Sequence, residues 1–246
     1  PPGIFTTPNL GAELIASAFT FGGYSESLPF VGFTGDYFVS ADGDYVRKHN
    51  PWVNWQLSSE NGIPEAANMP FTDFPSDFSL LPTVSFVVPN QQHDMHDGTI
   101  AEADAWLMAN LDSYVQWAML HNSLLILTWD EDDYLGTNQI PTIFAGANVI
   151  TSEYGELINH FNVLRTIEDV YGLGHAGNSA TATPITDVFV VPEPGQWGLL
   201  AAGLAVMAAC FRRKCVKARW LGQRGRSPVR RTGCFASSRS SCRRGC

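Results

Sequence analysis

Leu81 to Gly98 reads LPTVSFVVPNQQHDMHDG, and Ser123 to Asp133 reads SLLILTWDEDD. Thr83 to Val88 is β-branched and mostly apolar, then stops at Pro89-Asn90, the pattern of a buried strand. Ser123 to Trp129 has the same character. Between them, Thr99 with Glu102 three residues later is a capping-box pattern that opens a helix. Ile100, Ala103, Leu107, Leu111, Val115 and Ala118 follow at helical spacing and predict one core face. A strand, a helix of about twenty residues and a strand make a βαβ unit, so the two strands are expected to be parallel. The fold class is therefore α/β.

Working outward, Ile140 to Ala145 is a third strand candidate. Asn162 to Tyr171 reads as a helix ended by Gly172. Leu10 to Phe19 suits a short helix. The rest of residues 1–80 is rich in Gly, Pro, Phe and Ser, and reads as irregular segments packed on a scaffold. That includes the aromatic stretch around Tyr37, Tyr45, Trp52 and Trp55. Residues 174–187 form a small-residue loop. Val191-Pro192-Glu193-Pro194 then leads into Trp197 to Phe211, 15 residues without a charge, and Arg212-Arg213-Lys214 follows at once. A bilayer takes about 20 apolar residues, so this is a short span. The abrupt basic stop fits a membrane-anchor helix with its basic end cytoplasmic. The competing reading is a buried core helix.

The 246 residues are 45% hydrophobic, enough for one sizeable domain and unlike a disordered or collagen-like chain. The net charge of -9 is an average of two unlike pieces. Residues 1–211 hold all 24 acidic residues and only three of the 15 basic ones, Arg47, Lys48 and Arg165, for a net -21. Residues 212–246 carry the other 12 basic residues and no acid, for a net +12. A surface at -21 repels nucleic acid and suits divalent cations. The five cysteines begin at Cys210, so the acidic part has no disulfide framework, no CxxC zinc site and no Cys nucleophile. Pro1-Pro2-Gly3 shows no charged-then-apolar leader.

Chemistry concentrates where the two strands end. The first ends in Asn90-Gln91-Gln92-His93-Asp94-Met95-His96-Asp97-Gly98, the second in Asp130-Glu131-Asp132-Asp133. Ligands of parallel α/β sheets bind beyond the carboxyl ends of strands. Two His and two Asp near four consecutive acids make a plausible hard-metal site, because a cation relieves the mutual repulsion of the acids. The competing reading is a polar turn capping the helix and a solvated acidic loop. Arg47-Lys48 beside His49 would suit a phosphate-like anion, or a local salt bridge. His160, before the last helix, could face the same edge. His121 ends the long helix, where it suits the negative end of the dipole. His175 lies in a Gly-rich loop and is given no role. There is no Gly-x-Ser-x-Gly elbow and no Gly-rich phosphate loop.

Tyr45 to Trp52 (YVRKHNPW), Leu81 to Gly98, Leu124 to Asp132 (LLILTWDED) and Asn159 to Leu173 (NHFNVLRTIEDVYGL) resemble, in order, the bacterial phosphoesterase family of acid phosphatases and phosphatidylcholine-type phospholipases C. The resemblance covers about residues 10–190. It implies a three-layer, alkaline-phosphatase-like α/β core, present in part, and metal-assisted hydrolysis of phosphate esters. In that reading His49, His96 and His160 are the catalytic histidines. His49, His96 and Arg47 would meet the phosphate. Asp130 and Glu131, with Asp94, would hold a divalent metal ion of unassigned identity. One departure stands out. The family's upstream Glu-Asn metal-ligand pair and its Ser or Thr nucleophile have no match in order, since Glu60-Asn61 falls after His49. The chain therefore resembles the C-terminal portion of such an enzyme. The alternative is a non-catalytic, surface-associated remnant of the fold that lacks the nucleophile.

Val191 to Pro194, the apolar span and Arg212-Arg213-Lys214 resemble the PEP-CTERM sorting signal of Gram-negative bacteria. This implies export, a transient inner-membrane anchor, processing by an exosortase-type enzyme, and a surface or extracellular destination. Three regions follow: a phosphoesterase domain at 1–190, a sorting and anchor segment at 191–214, and a basic Cys/Arg/Ser-rich tail at 215–246 that is expected to be disordered. The expected partners are a phosphate-ester substrate, the exosortase and the inner membrane, without nucleic acid.

Overall fold

A computed structural model describes residues 3–190. The anchor helix, the sorting segment and the basic tail expected beyond Val190 lie outside the described residues. Among the described residues no helix is long and apolar enough to cross a membrane. In chain order the main elements are α1 (Leu10–Ala16), β1 (Phe21–Ser25), β2 (Tyr37–Phe38), β3 (Tyr45–Val46), β4 (Asn68–Pro70), β5 (Val84–Val88), α2 (Ile100–Ala118), β6 (Leu125–Thr128), β7 (Thr142–Ala145) and α3 (His160–Tyr171). Short 3-10 turns link them, among them Arg47–His49 and Pro51–Trp55. Among the described residues the arrangement is mixed α/β, with a parallel sheet and three α-helices.

The sheet departs from expectation in an informative way. Its order is β4-β1-β5, all parallel, so the central strand is β1. FGGYS was expected to be irregular, yet all five of its residues are buried. The reason is the glycine pair, which reads as flexible but makes room for a ring. A methyl group at Gly23 would sit 2.2 Å from Cε2 of Trp52. The Trp52 indole thus lies against the bare backbone, and its Nε1 donates to Asn68 on β4 at 3.0 Å. Leu10, Leu14, Phe21, Trp52, Val53, Ile63, Ala67 and Leu173 close the core around this strand.

β5 and the strand after α2 belong to different hydrogen-bonded sheets. β5 hydrogen-bonds β1, whereas β6 pairs antiparallel with β7, with Leu125 opposite Ala145 and Thr128 opposite Thr142. β5 and β6 are also half-buried rather than buried. Their apolar runs mark strand character correctly, but burial depends on what covers each face.

The helices follow their end signals closely. Thr99 and Glu102 form the full capping box of α2. Burial tracks the stripe at Leu111 and Ala118, and Trp106 joins it. Ile100 does not, being 76% exposed, because it sits in the first turn beyond the packed surface. Rings from residues 71–78 cover α2: Phe71 on Trp106, and Phe78 on Tyr114 and Trp117. α3 begins at His160 rather than Asn162, with Asn159 as its cap, and ends at Gly172 in the left-handed conformation (φ 64°). His121 Nδ1 donates to the Trp117 carbonyl at 2.7 Å, and its ring stacks on that of Trp117, a helix-end role as expected.

Candidate phosphate-binding site

β1 ends in Ser25-Glu26-Ser27, and the site grows from that end. The Ser25 hydroxyl donates to Oδ1 of Asn50 at 2.6 Å, with both residues 1% exposed. Asn50 donates in turn to the Val46 carbonyl at 3.0 Å. These bonds fix the turn that carries His49. The next strand, β5, runs into a tight loop. The Asn90 side-chain oxygen accepts from the backbone N–H groups of Gln92 and His93, at 3.0 and 3.1 Å. Asp97 N–H closes the loop on the Gln91 carbonyl at 2.9 Å. Gly98 is required here, since a methyl group would lie 1.8 Å from the Gln92 carbonyl oxygen. At the tip, Asp94 Oδ1 accepts from His96 N–H at 2.8 Å, and Met95 adopts a φ of 74° to allow it.

The two segments meet. His49 Nδ1 lies 3.2 Å from Asp94 Oδ2, with side chains 17% and 18% exposed. The His49 and His96 rings are 6.0 Å apart. His96 is more open and contacts Asp97 at 2.9 Å. Two imidazoles stand side by side at a sheet edge, each with its Nδ1 against a carboxylate, which leaves the Nε2 atoms for a ligand. That arrangement suits a tetrahedral oxyanion.

The remaining expected residues fall elsewhere. Arg47 pairs with Asp36, the local salt-bridge reading, and its Nη1 is buried without a partner. Arg47, Lys48, Asp36, Val46 and Asn54 line a hollow of about 390 Å³. Beside it, burial pushes the Tyr45 hydroxyl up from its ordinary pKa, more than nearby Arg47 pulls it down. His160 Nε2 donates to the Asp130 backbone carbonyl at 3.0 Å, which ties α3 to the loop after β6. Asp130 Oδ1 accepts from Glu131 N–H at 3.1 Å. Asp132 and Asn138 brace that loop reciprocally, at 2.8 and 2.7 Å. Among the described residues no three His, Cys, Asp or Glu side chains gather as a metal would require. As they stand, Asp94, Asp130 and Glu131 do not fit one shared ion. His175, given no role, holds Asp169 at 2.8 Å together with Arg165. Burial would push the Asp169 carboxyl up, but these two partners outweigh it and hold it below the ordinary range.

Sequence reading passed over Ser25, Glu26 and Asn90, and counted His93 only among the residues of a metal site. Their signal was faint. It consists of a short Gly-aromatic run ending in three polar residues, and of an Asn at the strand end whose side chain folds back on its own loop.

The phosphoesterase family profile matches residues 2–174. The chain belongs to the phosphoesterase family. A PEP-CTERM protein-sorting motif matches residues 190–214. A phosphatidylinositol-3-phosphatase of Mycobacterium tuberculosis is 50% identical over 184 residues, covering 74% of this chain and 58% of the relative. A probable acid phosphatase of Kluyveromyces lactis is 30% identical over 188 residues, covering 68% and 45%. An acid phosphatase of Aspergillus fumigatus is 29% identical over 168 residues, covering 64% and 38%. The chain thus spans about half the length of the curated relatives it matches. No solved structure matches it.

Proposed function

We propose that this protein hydrolyses phosphate esters as an exported phosphatase. The observation that carries the reading is the convergence of His49, Asp94 and His96 in a chain of the phosphoesterase family. His49 and His96 would donate to phosphate oxygens as charge develops in the transition state. Asp94 would hold the His49 ring in place. His160 would brace Asp130. The named relatives favour a phosphatase over a phospholipase C. A partial three-layer, alkaline-phosphatase-like core is part of this reading. A divalent metal ion belongs to the reading of the whole protein, with Asp130 and Glu131 as its first candidates. Because the described residues do not assemble a ligand set, no step is assigned to it. The sorting motif supports export, transient anchoring in the inner membrane and processing by an exosortase-type enzyme.

The test is phosphate release from an aryl phosphate ester by the full chain, with orthophosphate binding measured alongside. His49→Ala and His96→Ala should each cost about 100-fold in kcat/KM. Unchanged turnover in both variants would sink the assignment. The second reading is a binding-only relative of the fold. It predicts orthophosphate binding with no turnover.

A further inference from the structure

Glu26 is the most heavily engaged carboxylate near the site, and neither the family resemblance nor the proposed chemistry uses it. It lies just past the end of β1. Oε2 accepts from the backbone N–H of Asn90 at 2.9 Å. Oε1 accepts from the Trp106 indole N–H at 2.8 Å. Both oxygens lie 3.0 Å from His93 Nδ1. A carboxylate only accepts, so this bond puts a hydrogen on Nδ1. The His93 ring also stacks on Trp106, with centroids 6.1 Å apart and 22° between planes. Glu26 N–H donates to the Val88 carbonyl at 2.9 Å. One side chain thus ties together the end of β1, the loop after β5 and the first half of α2.

The neighbours of Glu26 extend the same tie. Ser25 holds Asn50, next to His49, as described above. Ser27 donates to the Gly43 carbonyl at 2.7 Å and accepts from the Asn90 amide at 3.1 Å. Three consecutive residues therefore hold both segments that make the His49–Asp94–His96 cluster. The loop half of that hold runs through Glu26 and, at Asn90 alone, through Ser27.

We infer that Glu26 is a positioning residue for the phosphate site, clamping loop 90–97 so that Asp94 and His96 face His49. The inference rests on the phosphate-site reading given under Proposed function. Glutamine in its place offers one acceptor oxygen and an NH2 group. Three donors then compete for that oxygen, and at least one N–H faces another N–H. Aspartate keeps both acceptor oxygens on a shorter stem.

The test measures orthophosphate affinity of the full chain by calorimetry, well below the melting temperature. Glu26→Gln should bind about tenfold more weakly or worse, and Glu26→Asp should recover part of the loss. Trp106→Phe, which removes one donor and keeps the ring, should lose about threefold. It carries the test alone if Glu26→Gln does not fold. The His93 Nδ1–H resonance should move in Glu26→Gln. Equal orthophosphate affinity in Glu26→Gln and the unsubstituted chain would overturn the inference and leave the phosphate site standing. Unchanged affinity in a folded Trp106→Phe, where Glu26→Gln is unfolded, would do the same. A lower melting temperature with unchanged affinity would make Glu26 merely structural. No orthophosphate binding by the unsubstituted chain would remove the phosphate-site reading and the inference with it.

Discussion

Replacing Ser25 with alanine should be costly for so small a change. The hydroxyl lies at the end of a fully buried strand and donates at 2.6 Å to an Asn50 oxygen that is itself sealed from water. Alanine leaves that oxygen buried without a donor, which costs about 1–3 kcal/mol. For a domain of this size each kcal/mol lowers the melting temperature by about 2–4 °C, so the expected fall is roughly 2–12 °C. Thermal unfolding followed by circular dichroism is the assay. Ser152→Ala is the control, because Ser152 is exposed and its substitution should stay within about 0.5 kcal/mol of neutral. Asn50→Ala and the double variant complete a cycle. Residues in direct contact should show a coupling of about 0.5–3 kcal/mol. The consequence for function follows, since Asn50 neighbours His49: orthophosphate should bind more weakly to Ser25→Ala. A melting temperature equal to that of the control, or single costs that simply add, would refute the reasoning.

Two further outcomes can be checked by pH-dependent unfolding. Burial, and next the charge of Glu168, pushes the Glu13 carboxyl above its ordinary pKa, with His175 pulling back, and Glu13 Oε2 is buried without a partner. The folded chain therefore binds the proton more tightly than the unfolded chain, and stability falls as pH rises above the ordinary value of 4.5. Glu13→Gln should melt higher than the unsubstituted chain at neutral pH, and the difference should close on acidification; a difference that does not vary with pH would contradict it. Thr99→Ala removes the α2 cap and should cost about 1 kcal/mol at neutral pH. Bonds from the Thr99 backbone and side chain hold the Glu102 carboxyl below its ordinary pKa, so this support exists above the ordinary value and is lost as pH falls through the lowered one. The Thr99→Ala deficit should therefore shrink in acid, and a constant deficit would count against the reciprocal box.

How far the sequence could be read depended on where the controlling forces act. Local chemistry was legible. Thr99 with Glu102 and Gly172 marked helix ends because capping involves only residues within a turn or two. The Asp94–His96 loop and the His49 turn were legible through the family resemblance. What failed was long-range. FGGYS looked irregular because its glycines carry no side-chain signal, and the Trp52 ring that fills their space is far along the chain. The ladder partner of β5 was not legible, because an apolar strand does not name its neighbour. Glu26 was invisible for the same reason, since its partners Asn90, His93 and Trp106 come from later segments.

The placement of β1 has a consequence for how the protein reaches its native state. Ser25 pairs with Pro70 on one side and Val88 on the other, so the central ladder closes only over long stretches of chain. Loops of that length delay closure, whereas α2 and α3 need only local contacts. Helical signal should return early after dilution from denaturant. His49, Asp94 and His96 would meet only once the ladder is complete, and a folding intermediate rich in helix would hold no anion.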